Sequence, residues 1–313
     1  IHTSGTGGRA SVVELTYANH IWSAVGSGLR IGIDPADRWL CCLPLHHIGG
    51  LAILLRSVLY GTAVVLERFD PAALVEAVRT GAVTLVSLVP TMLERLLDAG
   101  ADLDRPRCVL LGGGPAPRAL VERALDAGVM VAPTYGFTEA ASQVTTLPPG
   151  EARGRPGSAG TPLMPTEVRI DDEGVILVRG ATVAPAEAGP DGWLRTGDLG
   201  QIDDEGHLHP LGRADGVIVS GGENVSPEEV EQVLLAHAAV ADAVVVGSQD
   251  PEWQWAVSAT VVLADGAQAS ESELREFCRR RLASFKVPKA IGFAAGLPRS
   301  EEGKLLRHRL GDD

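Results

Sequence analysis

Two stretches of this chain combine hydroxyls, glycines and a carboxylate in ways that suit phosphate chemistry. Thr3-Ser4-Gly5-Thr6-Gly7-Gly8 presents hydroxyls and flexible backbone in one tight run. Glycines let successive N–H groups converge as an anion nest, and hydroxyls add donors. Taken alone, the run is a polyphosphate loop or an ordinary surface turn. It is not a Walker A loop, because no Gly-Lys-Ser/Thr follows. The second stretch is Tyr135-Gly136-Phe137-Thr138-Glu139. Glu139 can offer a carboxylate oxygen to Mg²⁺, as phosphate sites require. Thr138 can reach a phosphate, and Tyr135 can lie on a purine face. The alternative is an N-capped helix with an acidic first turn.

Several smaller signals are weak one by one. Gly112-Gly113-Gly114 is a turn or a place where something flat approaches the backbone. Asp198, in Trp193-Leu-Arg-Thr-Gly-Asp198, can accept from ribose hydroxyls or close an Asx-turn. Gly212-Arg213-Ala214-Asp215 precedes an apolar strand, after which Gly221-Gly222 allows a bulged turn or close passage of a ligand. Gly303-Lys304 puts a mobile ammonium near the C-terminus, where a solvated lysine is the plainer reading. His47 follows His46 in an apolar segment and reads as a core histidine. His207 and His209 read as structural. Arg279, Arg280, Arg281, Lys286 and Lys289 form either a solvated helix face or a local phosphate site.

These residues need a scaffold, and the chain spells one. Asp70-Pro71 opens a helix with Leu74, Val75 and Val78 inward. Val83 to Val89 is a buried strand, and Thr91 is expected to cap a helix from Met92 to Ala99. Strand 109–111, helix 117–127 and strand 129–132 follow. Strand and helix alternating at this spacing signify a parallel α/β sheet. Beyond 150, short alternating runs around Asp-Asp-Glu-Gly turns at 171 and 203 read as small antiparallel sheets or a barrel. After 214 the chain restarts, with helix 227–236, strands 244–246 and 257–263, and helix 271–283 behind a Ser270/Glu273 capping box. That is a small α+β domain.

Composition narrows the field of partners. Lys plus Arg is 27 against 40 Asp plus Glu, a net charge of −13, which disfavours nucleic acid and anionic membranes. Aromatics at 4% leave little for stacking on single strands. No apolar run reaches the ~18 residues that span a bilayer. Four cysteines without a C-x-x-C pair suit a reduced, cytoplasmic protein and no zinc set.

Order and spacing make the signals specific. Thr3-Ser-Gly-Thr, Leu43-Pro-Leu-His-His, Gly112-Gly-Gly-Pro, Tyr135-Gly-Phe-Thr-Glu, Thr196-Gly-Asp, Gly212-Arg-Ala-Asp, Ser220-Gly-Gly-Glu-Asn, Phe285-Lys-Val-Pro-Lys and Pro298 to Lys304 follow one another along essentially the whole chain. In this order they resemble the adenylate-forming superfamily of acyl- and aryl-CoA ligases, luciferases and peptide-synthetase adenylation domains. Leu88-Val-Pro-Thr-Met-Leu-Glu-Arg, Leu110-Leu-Gly-Gly-Gly-Pro-Ala-Pro and Thr134 to Gln143 look like its o-succinylbenzoate–CoA ligase branch, which serves menaquinone synthesis.

The resemblance implies a carboxylic acid, ATP with Mg²⁺, and coenzyme A as small-molecule partners, and an acyl-adenylate on the way to a thioester. It implies that Thr3, Ser4, Gly5 and Thr6 hold the β- and γ-phosphates, that Glu139 binds Mg²⁺ and that Thr138 contacts the α-phosphate. It places Tyr135 on adenine beside Gly112, Gly113 and Gly114, and Asp198 and Arg213 on the ribose. Lys304 bridges acid and α-phosphate, His47 gates the thiol channel, and Gly221 and Gly222 line it. The implied domains are 1–214, a large α/β domain with a small barrel-like block, and 215–313, a mobile α+β lid hinged at Asp215. A family segment expected ahead of Thr3 does not occur in these residues, so the large domain is expected to be incomplete and to belong to a longer enzyme. The phosphate loop departs from the family at Ala10 and Ser11, which stand where proline and lysine are usual. A CoA ligase for another aryl or fatty acid, and an impaired nucleotide- or acyl-CoA-binding protein, are the competing readings. Self-association is left open.

Overall fold

The computed structural model describes residues 1–3, 11–114, 116–220, 223–250, 254–299 and 305. The chain divides into two compact units. The first comprises Ile1–Ala116, Leu120–Thr196 and Gly200–Pro210. The second comprises Pro117–Ala119, Gly197–Leu199 and Leu211–Asp313.

The first unit opens with a two-stranded ribbon, β1 (His2–Thr3) and β2 (Ser11–Val12), which pairs Thr3 with Ser11. Helix α1 (Tyr17–Ile31) starts at Thr16, whose hydroxyl accepts from the Asn19 N–H while Asn19 Oδ1 accepts from the Thr16 N–H. This reciprocal cap closes two of the donors a helix start leaves open. Next come β3 (Arg38–Cys41), α2 (Ile48–Tyr60), β4 (Ala63–Leu66), α3 (Pro71–Arg79), β5 (Leu85–Leu88), α4 (Pro90–Asp98), β6 (Cys108–Leu111), α5 (Arg118–Asp126), β7 (Val131–Phe137), β8 (Ser142–Thr146) and β9 (Thr161–Pro162). Asp70 caps α3 as its position before proline implies. At α4 the expectation was wrong. Pro90 takes the first helical position and Val89 the cap, so Thr91 lies inside the helix. Proline suits that position because its missing N–H would have no partner there.

The seven strands lie in the order β4-β3-β5-β6-β7-β8-β9. The first five run parallel, and β8 and β9 are antiparallel additions. From β3 the chain crosses to β4 on one side, then returns to β5 on the other. Right-handed crossovers in opposite directions must put their helices on opposite faces. The core obeys this. Leu40, Val86, Leu88, Val109, Leu111 and Val131 pack with α3, α4 and α5. Their sequence neighbours Trp39, Cys41, Leu85, Cys108, Leu110 and Ala132 pack with Ile31 of α1 and Ile53 of α2. Alternation along each strand feeds both layers, which is why these strands read as continuous apolar runs.

The antiparallel block is a four-stranded sheet of β10 (Glu167–Ile170), β11 (Val175–Arg179), β12 (Leu194–Ile202) and β13 (Leu208–Arg213). Both expected turns are present. Asp171 Oδ1 accepts from the N–H groups of Glu173 and Val175, and Asp203 Oδ1 from those of Glu205 and His207.

In the second unit, β14 (Ile218–Ser220) pairs with β15 (Glu223–Val225). Helices α6 (Pro227–Leu235) and α7 (Glu271–Arg279) pack on a sheet of β16 (Val240–Asp250), β17 (Gln254–Leu263) and β18 (Ala290–Phe293). Val230, Leu234, Val245, Val257, Val261, Leu274 and Cys278 form its core. Helix α7 ends at Arg279, four residues before the expected 283. The chain turns there so that Leu282 and Phe285 reach back onto this core. Ser270 caps α7 through the Glu273 N–H at 3.2 Å.

Candidate active site

Parallel strands deliver their following loops to one edge of the sheet, and ligands of open α/β sheets sit at that carboxyl edge. Three of the sequence signals meet there. His47 follows β3 as the cap of α2, Gly112 follows β6, and Tyr135 to Phe137 end β7. Gly112 is hydrogen-bonded to the Leu88 carbonyl at 3.1 Å, which ties the ends of β5 and β6 together. A Cβ on Gly112 would lie 2.6 Å from Thr134 Cγ2, so only glycine lets the β6 end lie this close to β7. Gly113 and Gly114 are exposed beyond it.

His47 is exposed, not part of the core, and its ring lies 4.3 Å from that of His46. The apolar run from Leu40 to Leu55 is not one element. It is a strand end, a turn and a helix start, and both histidines fall in the turn.

Thr138 and Glu139 stand in a single 3-10 turn, Thr138–Ala140, directly after β7. The turn is closed by two non-glycine residues in the left-handed region, Ala141 at φ +52° and Ser142 at φ +100°. Such backbone costs about 1–3 kcal/mol per residue and persists only where its surroundings enforce it. The register shifts between Tyr135 and Gly136, where Val144 of β8 is the extra residue. At Gly136 a Cβ would lie 1.9 Å from the Ser142 carbonyl oxygen, so the strand folds back on itself with no space for a side chain. Tyr135 and Phe137 have ring centroids 5.6 Å apart and pack on the core formed by Ala140, Val144, Ile176 and Val178. The alternative of a capped helix after Thr138 is met only by this single turn. The rest of the segment pairs as β8, and β7 runs to Phe137 where the sequence suggested an end at 132.

The polar residues that grip this turn come from α1. Asn19 and Ser23 are each 4% exposed, one helical turn apart. Ser23 Oγ donates to the Ala141 carbonyl at 2.7 Å. Ser23 Oγ also accepts from Arg56 Nη2 at 3.2 Å. Sequence reading singled out none of the three; the Thr16-x-x-Asn19 cap pattern is the one trace they leave.

The other expected positions are distributed as follows. Asp198 and Arg213 belong to the second unit and are paired, Arg213 Nη1 to Asp198 Oδ1 at 3.1 Å. Asp215 sits in the 3-10 turn Ala214–Gly216. Thr3 is in β1. Ser4, Gly5, Thr6, Gly221, Gly222 and Lys304 lie outside the described residues. In the basic group, Arg279 and Arg280 both pair with Glu276, Arg281 covers the Phe277 ring at 3.6 Å, and Lys286 holds Glu229 at 2.6 Å. Arg279, Arg280 and Lys286 are thus each charge-compensated by a neighbouring carboxylate. His207 and His209 both face Asp203, at 3.4 and 2.8 Å. Among the described residues, no group of three or more His, Cys, Asp or Glu side chains could hold a metal ion.

Comparison with known proteins shows the family. The family profile "AMP-binding enzyme" matches residues 1–186, and "AMP-binding enzyme C-terminal domain" matches 229–304. The chain belongs to the AMP-binding enzymes. It is 44% identical to the 2-succinylbenzoate–CoA ligase of Bacillus cytotoxicus, over 99% of this chain and 69% of that protein. The structure resembles o-succinylbenzoate CoA synthetase from Bacillus subtilis in complex with the acyl-adenylate intermediate OSB-AMP, with a TM-score of 0.91 and 42% identity, covering 100% of this chain and 68% of that one. It also resembles the same enzyme in complex with ATP and magnesium ion, with a TM-score of 0.89 and 41% identity, covering 99% of this chain and 69% of that one. Among the described residues, no helix is long and apolar enough to cross a membrane.

Proposed function

We propose that this chain activates a carboxylic acid with ATP and transfers the acyl group to CoA, and that the acid is o-succinylbenzoate. The observation that carries this reading is the meeting of His47, Gly112 and Tyr135–Glu139 at one sheet edge, in a chain 44% identical to a ligase named for that acid.

A carboxylate is a poor electrophile because oxide would have to leave. Attack of one carboxylate oxygen on the α-phosphorus of ATP breaks the bond to the β-phosphate and releases pyrophosphate. The acyl-adenylate now carries AMP as its leaving group. The CoA thiol gives up its proton, its sulfur attacks the acyl carbon, and AMP departs.

In this proposal Thr3, Ser4, Gly5 and Thr6 hold the β- and γ-phosphates and Thr138 the α-phosphate. Tyr135 lies on adenine beside Gly112, Gly113 and Gly114. Asp198 and Arg213 take the ribose hydroxyls. Lys304 bridges acid and α-phosphate, where negative charge develops. His47 gates the acid pocket from the thiol channel, Gly221 and Gly222 line that channel, and Asp215 is the hinge. Mg²⁺ neutralises phosphate charge when it arrives with ATP. A lone carboxylate at Glu139, with no protein cage among the described residues, fits an ion that takes its remaining ligands from phosphate and water. The proposal includes a cytoplasmic protein.

The test is pyrophosphate release with ATP, Mg²⁺ and a panel of acids, followed by thioester formation with CoA. Release should be greatest with o-succinylbenzoate. Greater release with another aryl or fatty acid would move the substrate assignment. ATP binding without release for any acid would overturn the ligase reading. Lys304→Ala should abolish adenylation yet spare thioester formation from supplied acyl-adenylate.

A further inference from the structure

We infer that Asn19 and Ser23 are positioning residues for Glu139, holding its turn from both sides. The inference rests on the reading of Glu139 as the carboxylate that meets Mg²⁺ with ATP.

The turn cannot hold its own shape cheaply. Ala141 and Ser142 are both left-handed without being glycine. What fixes it comes from α1, more than a hundred residues earlier in the chain. On one flank, Ser23 Oγ donates to the Ala141 carbonyl, and the bond is buried. On the other flank, Asn19 Nδ2 donates to the carbonyls of Ala181 and Val183, each at 2.9 Å. The next residue, Ala184, donates its N–H to the Glu139 carbonyl at 2.7 Å. So one helix face fastens the backbone after Glu139 directly and the backbone of Glu139 through a short loop.

Asn19 has no freedom to do otherwise. Its Oδ1 accepts from the Thr16 N–H and hydroxyl, both at 2.8 Å, and its Nδ2 uses both protons on Ala181 and Val183. Only one orientation of the amide satisfies all four partners. Ser23 is fixed in turn by Arg56 Nη2. Because a backbone carbonyl left unpaired in the interior is costly, the turn follows the helix. The same helix begins one short segment after β2, which closes the ribbon on Thr3. The start of α1 and the Glu139 turn therefore share one rigid support.

Asn19→Asp separates the roles of Asn19. The carboxylate still accepts from Thr16 and keeps the helix cap, but it loses both donors to Ala181 and Val183. Ser23→Ala removes the other bond. Calorimetric binding of ATP is measured on the full chain across a Mg²⁺ titration, well below the unfolding midpoint of each variant, with AMP binding in the absence of Mg²⁺ as the control. The Mg²⁺ concentration for half-maximal ATP binding should rise about fivefold to tenfold in either variant, the scale of one or two buried hydrogen bonds. AMP binding should change less than about twofold. In a Glu139→Gln background the added effect of Ser23→Ala should disappear, since there is no carboxylate left to position. An equal effect with and without Glu139, or an unchanged Mg²⁺ midpoint in both variants, would overturn the positioning role alone. A Glu139→Gln protein with an unaltered Mg²⁺ requirement would overturn the reading of Glu139, and the positioning role with it.

Discussion

Asp37 and Arg107 grip each other at the amino ends of β3 and β6, the edge of the sheet opposite His47, Gly112 and Glu139. Arg107 Nε meets Asp37 Oδ1 at 2.8 Å, and its Nη2 meets Oδ2. Thr84 Oγ1 donates to the same carboxylate at 2.9 Å, and the Asp34 N–H to it at 3.0 Å. Arg107 also donates to the carbonyls of Ile31 and Gly32 at the end of α1. One ion pair thus joins two strands to the helix that carries Asn19 and Ser23.

Arg107→Leu should destabilise the chain by about 3 kcal/mol, because it strands a carboxylate that is only 3% exposed. Urea denaturation at pH 7 checks this. Burial alone would raise the Asp37 pKa. Bonds from Arg107, Asp34 and Thr84 outweigh burial and hold it below the usual carboxylate value. A depressed folded pKa gives stability that is present above the unfolded value, near 4, and lost as pH falls through the folded one. The wild-type chain should lose stability on acidification below about pH 4. The Arg107→Leu variant should lose less over that range.

Gly136→Ala should disrupt the Glu139 turn, since the new methyl would collide with the Ser142 backbone. Overpacking of this kind costs about 1–3 kcal/mol. The expected result is a lower unfolding midpoint together with weakened Mg²⁺-dependent ATP binding. Gly114→Ala is the contrast. A Cβ there meets nothing within 4 Å, and its unfolding midpoint should match wild type.

Asp198→Ala should weaken AMP binding by about tenfold or more, the scale of hydrogen bonds to a charged group. Arg213→Lys keeps the charge and loses the planar fork, so it should also weaken binding. Isothermal titration with AMP reads both. Unaltered affinity in Asp198→Ala would remove the pair from the ribose assignment.

The four cysteines should resist alkylation in the native chain. Burial pushes the thiols of Cys42 and Cys108 up to about 12 and that of Cys278 to about 11, and raises Cys41 as well. Thiolate is the reactive form, so at pH 8 the labelling of Cys42 should be slower than that of a free thiol by about a thousandfold. Mass spectrometry after iodoacetamide treatment, with and without denaturant, checks this. Rapid native labelling of Cys42 or Cys108 would contradict the described packing.

Much of this architecture is legible without coordinates, for identifiable reasons. Asp70-Pro71, Ser270 and the Asp-Asp-Glu-Gly turns act through bonds to residues two to four positions away, so sequence distance and spatial distance coincide. The strands β5 and β6 show as apolar runs because helices cover both faces. Where the reading failed, a distant partner decided the outcome. The strand read at 129–132 continues through Thr134 to Phe137, because β8 supplies a ladder for those residues. His47 lies in an apolar run, yet the run bends at it. For the basic residues from Arg279 to Lys286 the sequence leaves a solvated face and an anion site open, and only the placement of Glu276 and Glu229 beside them favours the former. The hold of Asn19 and Ser23 on the Glu139 turn was invisible for the same reason, since the carbonyls they reach lie 118 to 164 residues away.

The paired turns at Asp171 and Asp203 bear on the order in which the chain acquires its structure. Each fixes its register through a side chain that reaches only two and four residues ahead. Short loops close in well under a microsecond, and hairpins form within about ten. The parallel sheet must instead bring β3 beside β5 across an intervening strand and two helices, and such distant pairings come late because loop entropy is spent first. The antiparallel block can therefore assemble early, and the Glu139 turn, which needs α1 and the loop at Ala181 together, can take its shape only near the end.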